Sequence, residues 1–578
     1  MTKGETVTSN FEYRMPSTAV SRRGLLRRAG VAGAGLSAAA LVGCSSKDER
    51  AAPVTGGTGS TPETSLVRKG TIRQSTGKLS EPFDPAIMLS AGATYWSNWG
   101  NTAINVGKQD YKLMPALAES WEVKSPTEIA LKIRQGVAFH DKAPTNGRIM
   151  DATDVAYSFN RHAALLDKDK AALYPRRTNF RFMTEAVATD KSTVVLKMSA
   201  PNSAILNGIA DMRCPIMPVE SKDTGFADGN KVVGTGPWVI KQLDTTGTGT
   251  LVPNLKYWEK GLPKAESVTL QTFDTYQAST AAFVSDVTDY LHMINQPWAV
   301  VQEVGKLRPD AQKIRWDYGL LHWLRYNCKK APFSDERVRQ AMTVVVDGQA
   351  IGEGFYGELT KPSGPFVSTW GNSAISSAEI MKRPGWNPAT READIANAKK
   401  LFAAAGFPDG ELNFNLMVFN TPVHPSNSQR VRAQWNRIWP KMKITLEGPF
   451  DSGPFNQRLA AGNFDTVAYS ILTPPDAAVD FQNQFATEGS RNYGFFSNPE
   501  VDKLTSDSIS EFDMQKRAVL LKQAEEILIQ KAPMLPYYYA QQIAYVSPKW
   551  DGYAGYPGPA GIASSDLADA SRFVSYKG

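Results

Sequence analysis

The chain has 578 residues, 42% of them hydrophobic and 21% charged, with a formal net charge of +7. That is the composition of an ordinary globular protein rather than a disordered one. Residues 1–44 carry six Lys/Arg against Glu5 and Glu12, so the remaining 534 residues hold only about +3. With no block of Lys/Arg in that body, a nucleic-acid-tracking surface is excluded, and the length corresponds to roughly three or four domain-sized units.

In chain order, the first element is an address. Arg14, Arg22, Arg23, Arg27 and Arg28 precede an uncharged stretch from Ala29 to Gly43. A helix of that stretch would be roughly 22 Å long, short of the roughly 30 Å hydrocarbon core, and the charged-then-apolar layout is that of an export signal. Ser21-Arg22-Arg23-Gly24-Leu25-Leu26 resembles a twin-arginine signal, and Leu41-Val42-Gly43-Cys44 resembles a lipobox. Together they predict removal of residues 1–43 and a diacylglyceryl group on Cys44, which anchors the chain at the outer face of the cytoplasmic membrane or in the periplasm. No other cofactor and no metal is expected. Residues 44–65, rich in Ser, Thr, Gly and Pro, read as a lipidated Cys and a flexible tether.

In the body, Ile129, Leu131 and Ile133 alternate with polar or small residues up to the Gln135-Gly136 turn, which predicts a strand. Asp151 opens a helix with Val155 and Phe159 on one face. Val194, Leu196 and Met198 predict a second strand. Asn387-Pro388 starts a helix whose apolar face is Ile395, Ala398, Leu401, Phe402 and Ala405, ended by Gly406 and Pro408. Met514, Ala518, Leu521, Ala524 and Leu528 share the face of another, ended by Pro533. Cys214 and Cys328 are left after Cys44; a disulfide between them is one option and two free thiols the other.

Catalytic signatures are missing. The five histidines form no HExxH pair, and no GxSxG elbow or P-loop occurs. His140-Asp141 stands at a strand end, a weak place for a metal.

Several stretches together resemble family 5 of the extracellular solute-binding proteins, which serve ABC importers. They are PALAESWEVKSPTEIALKIRQGVAFHD (Pro115 to Asp141), GTGPW (Gly234 to Trp238), RYNCKKAPFSDERVRQAM (Arg325 to Met342), YGFFSNPEVDKL (Tyr493 to Leu504) and LPYYYAQQIAYVSPKWDGY (Leu535 to Tyr553). The resemblance implies an α/β, two-lobed clamp with an extra domain. Lobe I would be 66–112, 231–322 and 538–578, the extra domain 113–230 and lobe II 323–537, with hinge crossings near Trp323 and Tyr537. It also implies a monomer that captures a small solute, of the oligopeptide or oligosaccharide class, and hands it to a permease without chemical conversion. A secreted hydrolase of peptides or glycans and a solute-sensing lipoprotein are the alternatives.

The resemblance places the solute between the lobes. Its candidate contacts are Tyr95, Trp96 and Trp99 after the Phe83–Pro85 turn, then His322, Trp323 and Tyr326, then Trp370, Tyr469 and Asp476, and finally Tyr537 and Tyr538. For the aromatics and for His322, ordinary core packing is the competing reading. On a regular strand Tyr537 and Tyr539 would share a face opposite Tyr538. In the peptide-binding members a carboxylate pairs with the peptide's amino group; here Leu472 stands at that place, with Asp476 or Asp480 as substitutes if the loop is re-registered. Without that charge a free ammonium would be buried unpaired. That departure, and the 13 Trp of the chain, favour an uncharged ligand such as an oligosaccharide.

Overall fold

A computed structural model describes residues 67–77, 83–88, 96, 98–106, 112–293, 295–472, 476–553 and 571–577. The export signal, Cys44, the tether and Tyr95 lie outside the described residues, as do the side chains of Trp370 and Leu472.

Three sheets organise the body. The first has seven strands in the order Gln312–Trp316, Gln542–Val546, Tyr290–His292, Thr71–Gly77, Ser267–Phe273, Gly249–Pro253 and Trp238–Leu243. Thr71–Gly77 pairs in parallel with Ser267–Phe273, so the long connection between them must leave the sheet and return. That excursion contains a four-stranded antiparallel layer, Ala118–Ser125, Glu128–Ile133, Thr193–Met198 and Met183–Asp190. Its core is the one the alternation predicts: Ile129, Leu131, Ile133, Val194, Leu196 and Met198 are all buried, with Val155 and Phe159 packed into the same cluster. Their helix, Ala152–His162, starts on a reciprocal cap between Asp151 and Asp154.

The GTGPW stretch fixes this layer to the first sheet. Gly236 N–H donates to Trp99 O at 3.0 Å and His140 N–H to Gly234 O at 2.9 Å. A Cβ at Gly234 would stand 2.0 Å from Trp99 O, and one at Gly236 2.4 Å from Trp99 C. Only glycine permits that approach. His140 is buried with Nε2 3.0 Å from Gly236 O, and burial lowers it to about 4; it packs the seam and faces no metal cluster among the described residues.

The third sheet has six strands, Thr360–Lys361, Met534–Ala540, Leu320–Tyr326, Thr466–Leu472, Asn413–Phe419 and Lys443–Phe450. The predicted helices flank it. Arg391–Ala404 follows a turn capped by Asn387 and buries Ala398 and Phe402. Met514–Lys531 buries Ala518, Leu521, Ala524 and Leu528, but Met514, the first residue of the helix, is exposed. Ala532, in the left-handed conformation at φ 46°, ends this helix before Pro533 is reached. Cys214 and Cys328 are free thiols.

The sheets exchange the chain at Asp317–Gly319 and at Gln541, and not at Trp323 and Tyr537. All of Leu320–Tyr326 is ladder-paired in the third sheet from Leu320↔Leu472 onward, and Met534–Ala540 belongs there too. The two crossings are tied by Gln541 Nε2–H donating to Asp317 Oδ1 at 2.8 Å. One apolar core continues past them, joining Phe283, Leu291 and Val304 to Leu324, Tyr326 and Tyr356. No helix among the described residues is long and apolar enough to cross a membrane.

Candidate functional site

Alternation along Leu320–Tyr326 sends Leu321, Trp323 and Arg325 to one face and His322, Leu324 and Tyr326 to the other. Trp323 is 0% exposed and meets the partly buried Tyr469 edge to face at 5.8 Å. The Arg325 guanidinium lies 4.7 Å from the Trp323 ring centre. It donates to Gln484 O at 2.8 Å and to Gln484 Oε1 at 2.6 Å, and Gln484 Nε2–H donates to Asp480 Oδ1 at 2.9 Å. Trp323 Nε1 and Asp480 Oδ2 are buried without a hydrogen-bond partner.

Burial pushes Asp480 up from 3.8 to about 7, against the pull of Gln484, Arg491 and Arg325. The folded chain therefore holds this proton where the unfolded chain has lost it. The contribution to stability is full below pH 3.8 and declines as pH rises to about 7. Asp480→Asn keeps the acceptor for Gln484 and removes the titration. The variant is expected to gain stability relative to wild type between about pH 4 and about pH 7, by at most about 4 kcal/mol. Urea midpoints measured across that range check it; a difference that does not change with pH contradicts the assignment.

Asp476 does not present a free carboxylate, which corrects its reading as a solute contact. It caps helix Ala477–Phe485, accepting from Ala478 N–H at 2.9 Å and Val479 N–H at 3.0 Å. Arg517 Nη2 pairs with its Oδ1, and Asn207 Nδ2–H donates to its Oδ2 at 2.6 Å. Burial pushes this carboxyl up, but Arg517 and Asn207 outweigh it and the net shift is downward. Asn207 belongs to Ile205–Ile209 in the inserted layer, so Asp476 joins that layer to the third sheet's lobe. Ser203 adds two bonds across the same seam, N–H at 2.8 Å and Oγ–H at 2.9 Å, both to Ile509 O. Neither Asn207 nor Arg517 was visible as a site residue from sequence.

Other candidates are packed as core. Trp96 and Trp99 sit in the first sheet's cluster, rings 5.9 Å apart, with Trp96 Nε1–H donating to Phe83 O at 2.7 Å. Tyr326 stacks on Phe333 and shares a hydrogen bond with Thr343 Oγ1 at 3.1 Å. A bulge in Met534–Ala540 pairs His322 with Tyr538 and Trp323 with Pro536, leaving Tyr537 as the extra residue. In consequence Tyr537 and Tyr538 enter one core and Tyr539 the other, unlike the regular alternation. His322 stacks on Tyr538 at 4.9 Å, lies 5.8 Å from the His424 ring, and is lowered well below its usual value by burial and then by His424. Tyr356 Oη lies 3.5 Å from His322 Nε2 and donates to Asn295 Oδ1 at 3.1 Å, a contact between the two lobes beside the hinge.

Residues 112–493 match the family described as bacterial extracellular solute-binding proteins, family 5 middle, and the chain belongs to that family of ABC-importer binding proteins. It is 26% identical over 521 residues to heme-binding protein A of Haemophilus influenzae, across 83% of this chain and 89% of that protein. To the periplasmic oligopeptide-binding protein OppA of Salmonella typhimurium it is 23% identical over 461 residues, across 76% and 82%. Among solved structures, the substrate-binding protein CtaP of Listeria monocytogenes superposes with a TM-score of 0.74 at 19% identity, covering 89% of this chain and 100% of that one. The binding protein DppA of Helicobacter pylori, in complex with the peptide STSA, gives 0.69 at 19%, covering 88% and 99%. The fold is the two-lobed α/β clamp of this class, and the family is extracytoplasmic.

Proposed function

We propose that this chain is the lipid-anchored capture subunit of an ABC importer. It holds a solute of the oligopeptide or oligosaccharide class between its lobes, presents it to a permease, and releases it chemically unchanged. The observation that carries the solute class is the fate of the acids near Tyr469: Asp476 is consumed by Arg517 and Asn207. Asp480 is fully buried under the influence of Arg325 and Arg491. Both carboxyls are buried, so a solute ammonium there would meet no exposed carboxylate. Such a wall suits a solute without a free amine, even though relatives named for oligopeptides and dipeptides share the fold.

A thermal-shift panel of free peptides, N-acetylated peptides and oligosaccharides tests this. A ligand at a hundred times its dissociation constant adds about 2.7 kcal/mol; N-acetylated peptides or oligosaccharides are expected to shift melting and free dipeptides are not. Selective stabilisation by free dipeptides would overturn the solute class. The anchor is tested separately: Cys44→Ala is expected to move the exported protein from the membrane pellet to the soluble fraction, and unchanged pelleting would remove the lipid from the account.

A further inference from the structure

We propose that the seam between the inserted layer and the third sheet's lobe is a closing latch, in which Asn207, Ser203 and Phe512 hold the clamp shut and so set how tightly a solute is retained. This rests on the capture reading above for what closure achieves, and names positioning residues that act on it through the lobes.

The inserted layer is built into the side of the first sheet. Met217 is buried in that sheet's core cluster. Ile216 N–H donates to Asn101 O and His140 N–H to Gly234 O, both at 2.9 Å, and Trp258, which follows strand Gly249–Pro253, packs against the layer's own core. Layer and first sheet therefore form one body. The chain passes from that body to the third sheet's lobe at Asp317–Gly319 and returns at Gln541, so the seam is held by non-covalent contacts alone. Rotation of the lobes about those crossings has to part it.

The seam's contacts are few and local. Asn207 Nδ2–H donates to Asp476 Oδ2 at 2.6 Å. Ser203 donates to Ile509 O from N–H at 2.8 Å and from Oγ–H at 2.9 Å. That carbonyl lies in the last turn of helix Pro499–Ser510, where the helix itself supplies no partner. Arg181 reaches Gln482 Oε1, and Phe512, just past the same helix, packs against the layer's core. Ser203, Ile509 and Asp476 are buried. What parting leaves behind decides the role. Asp476 keeps Arg517 and the N–H groups of Ala478 and Val479, and Arg517 keeps its bond of 3.0 Å to Ser508 O. All of these belong to the third sheet's lobe, so opening strands no charge. Asn207, Ser203 and Ile509 O exchange their bonds for water, a modest net cost, unlike the loss of a buried ion pair shared between two bodies. The seam can thus close and release repeatedly, and a solute that bridges the lobes binds in proportion to the closed fraction.

Small-angle X-ray scattering of the mature full chain with no solute added tests this. Asn207→Ala and Phe512→Ala are expected to raise the radius of gyration above wild type. Asn436→Ala, which removes a bond of 3.0 Å to Met442 O inside the third sheet's lobe, is expected not to. Because Asp476 keeps its other partners, the urea midpoint of Asn207→Ala is expected to stay close to wild type. Where N-acetyl-trialanine or lactose binds, Asn207→Ala is expected to weaken it and to speed its dissociation by about fivefold to tenfold. A larger radius in either seam variant against an unchanged control supports the latch. An unchanged radius in both, or an equal rise in Asn436→Ala, would overturn it and leave capture standing. Should no solute bind, the capture reading falls while the scattering still decides the latch.

Discussion

Asp476→Ala is expected to cost the folded chain roughly 3–5 kcal/mol, read as a lowered urea midpoint with an unchanged slope. The side chains of Arg517 and Asp476 are only 3% and 4% exposed, so removal of the acid strands a guanidinium where water cannot reach it. The same substitution deletes the cap of Ala477–Phe485, worth about 1 kcal/mol, and frees Asn207 on the far side of the seam. The paired change Asp476→Leu with Arg517→Met is expected to recover most of the loss, because it removes the stranded charge along with its partner. A loss under about 1 kcal/mol for Asp476→Ala would mean that the pair is open to solvent.

Trp323→Ala is expected to lose roughly 3–5 kcal/mol, since this ring is fully buried between Tyr469 and the Arg325 guanidinium. Part of that cost comes from a cavity in the cluster containing Leu321, Phe455 and Phe485. Loss of solute binding in this variant would therefore not identify a contact. Trp323→Phe keeps an aromatic edge against Tyr469 and removes the unpartnered Nε1, which makes it the informative variant. Its melting temperature is expected to stay well above that of Trp323→Ala, and its solute-induced shift reports on the wall itself. Equal destabilisation by Phe and Ala would contradict the packing described.

The strands at 129–133 and 194–198 and the helices at 391–404 and 514–531 were legible because one buried face imposes a period on the sequence. The hinge was not. Leu320–Tyr326 and Met534–Ala540 are buried on both faces, so their apolar runs carry no mark of where the lobe begins, and the bulge at Tyr537 breaks the alternation that would have sorted the tyrosines. Trp96 and Trp99 looked like cleft aromatics because three large rings crowd a short segment; the glycines of GTGPW pressing on the Trp99 backbone explain the crowding as packing. The role of Asp476 was half readable, since an Asp before Ala-Ala-Val is a helix cap, but its partners Asn207 and Arg517 are remote in sequence.

The central claim is that the chain captures a solute and gives it back. Overnight incubation of the purified mature chain with whichever solute most raises its melting temperature, followed by equilibrium dialysis and mass spectrometry, measures this directly. The account predicts one solute bound per chain and recovery of that solute with its mass and structure unchanged. Recovery of a cleaved or otherwise converted product would contradict it and return the chain to the class of secreted hydrolases.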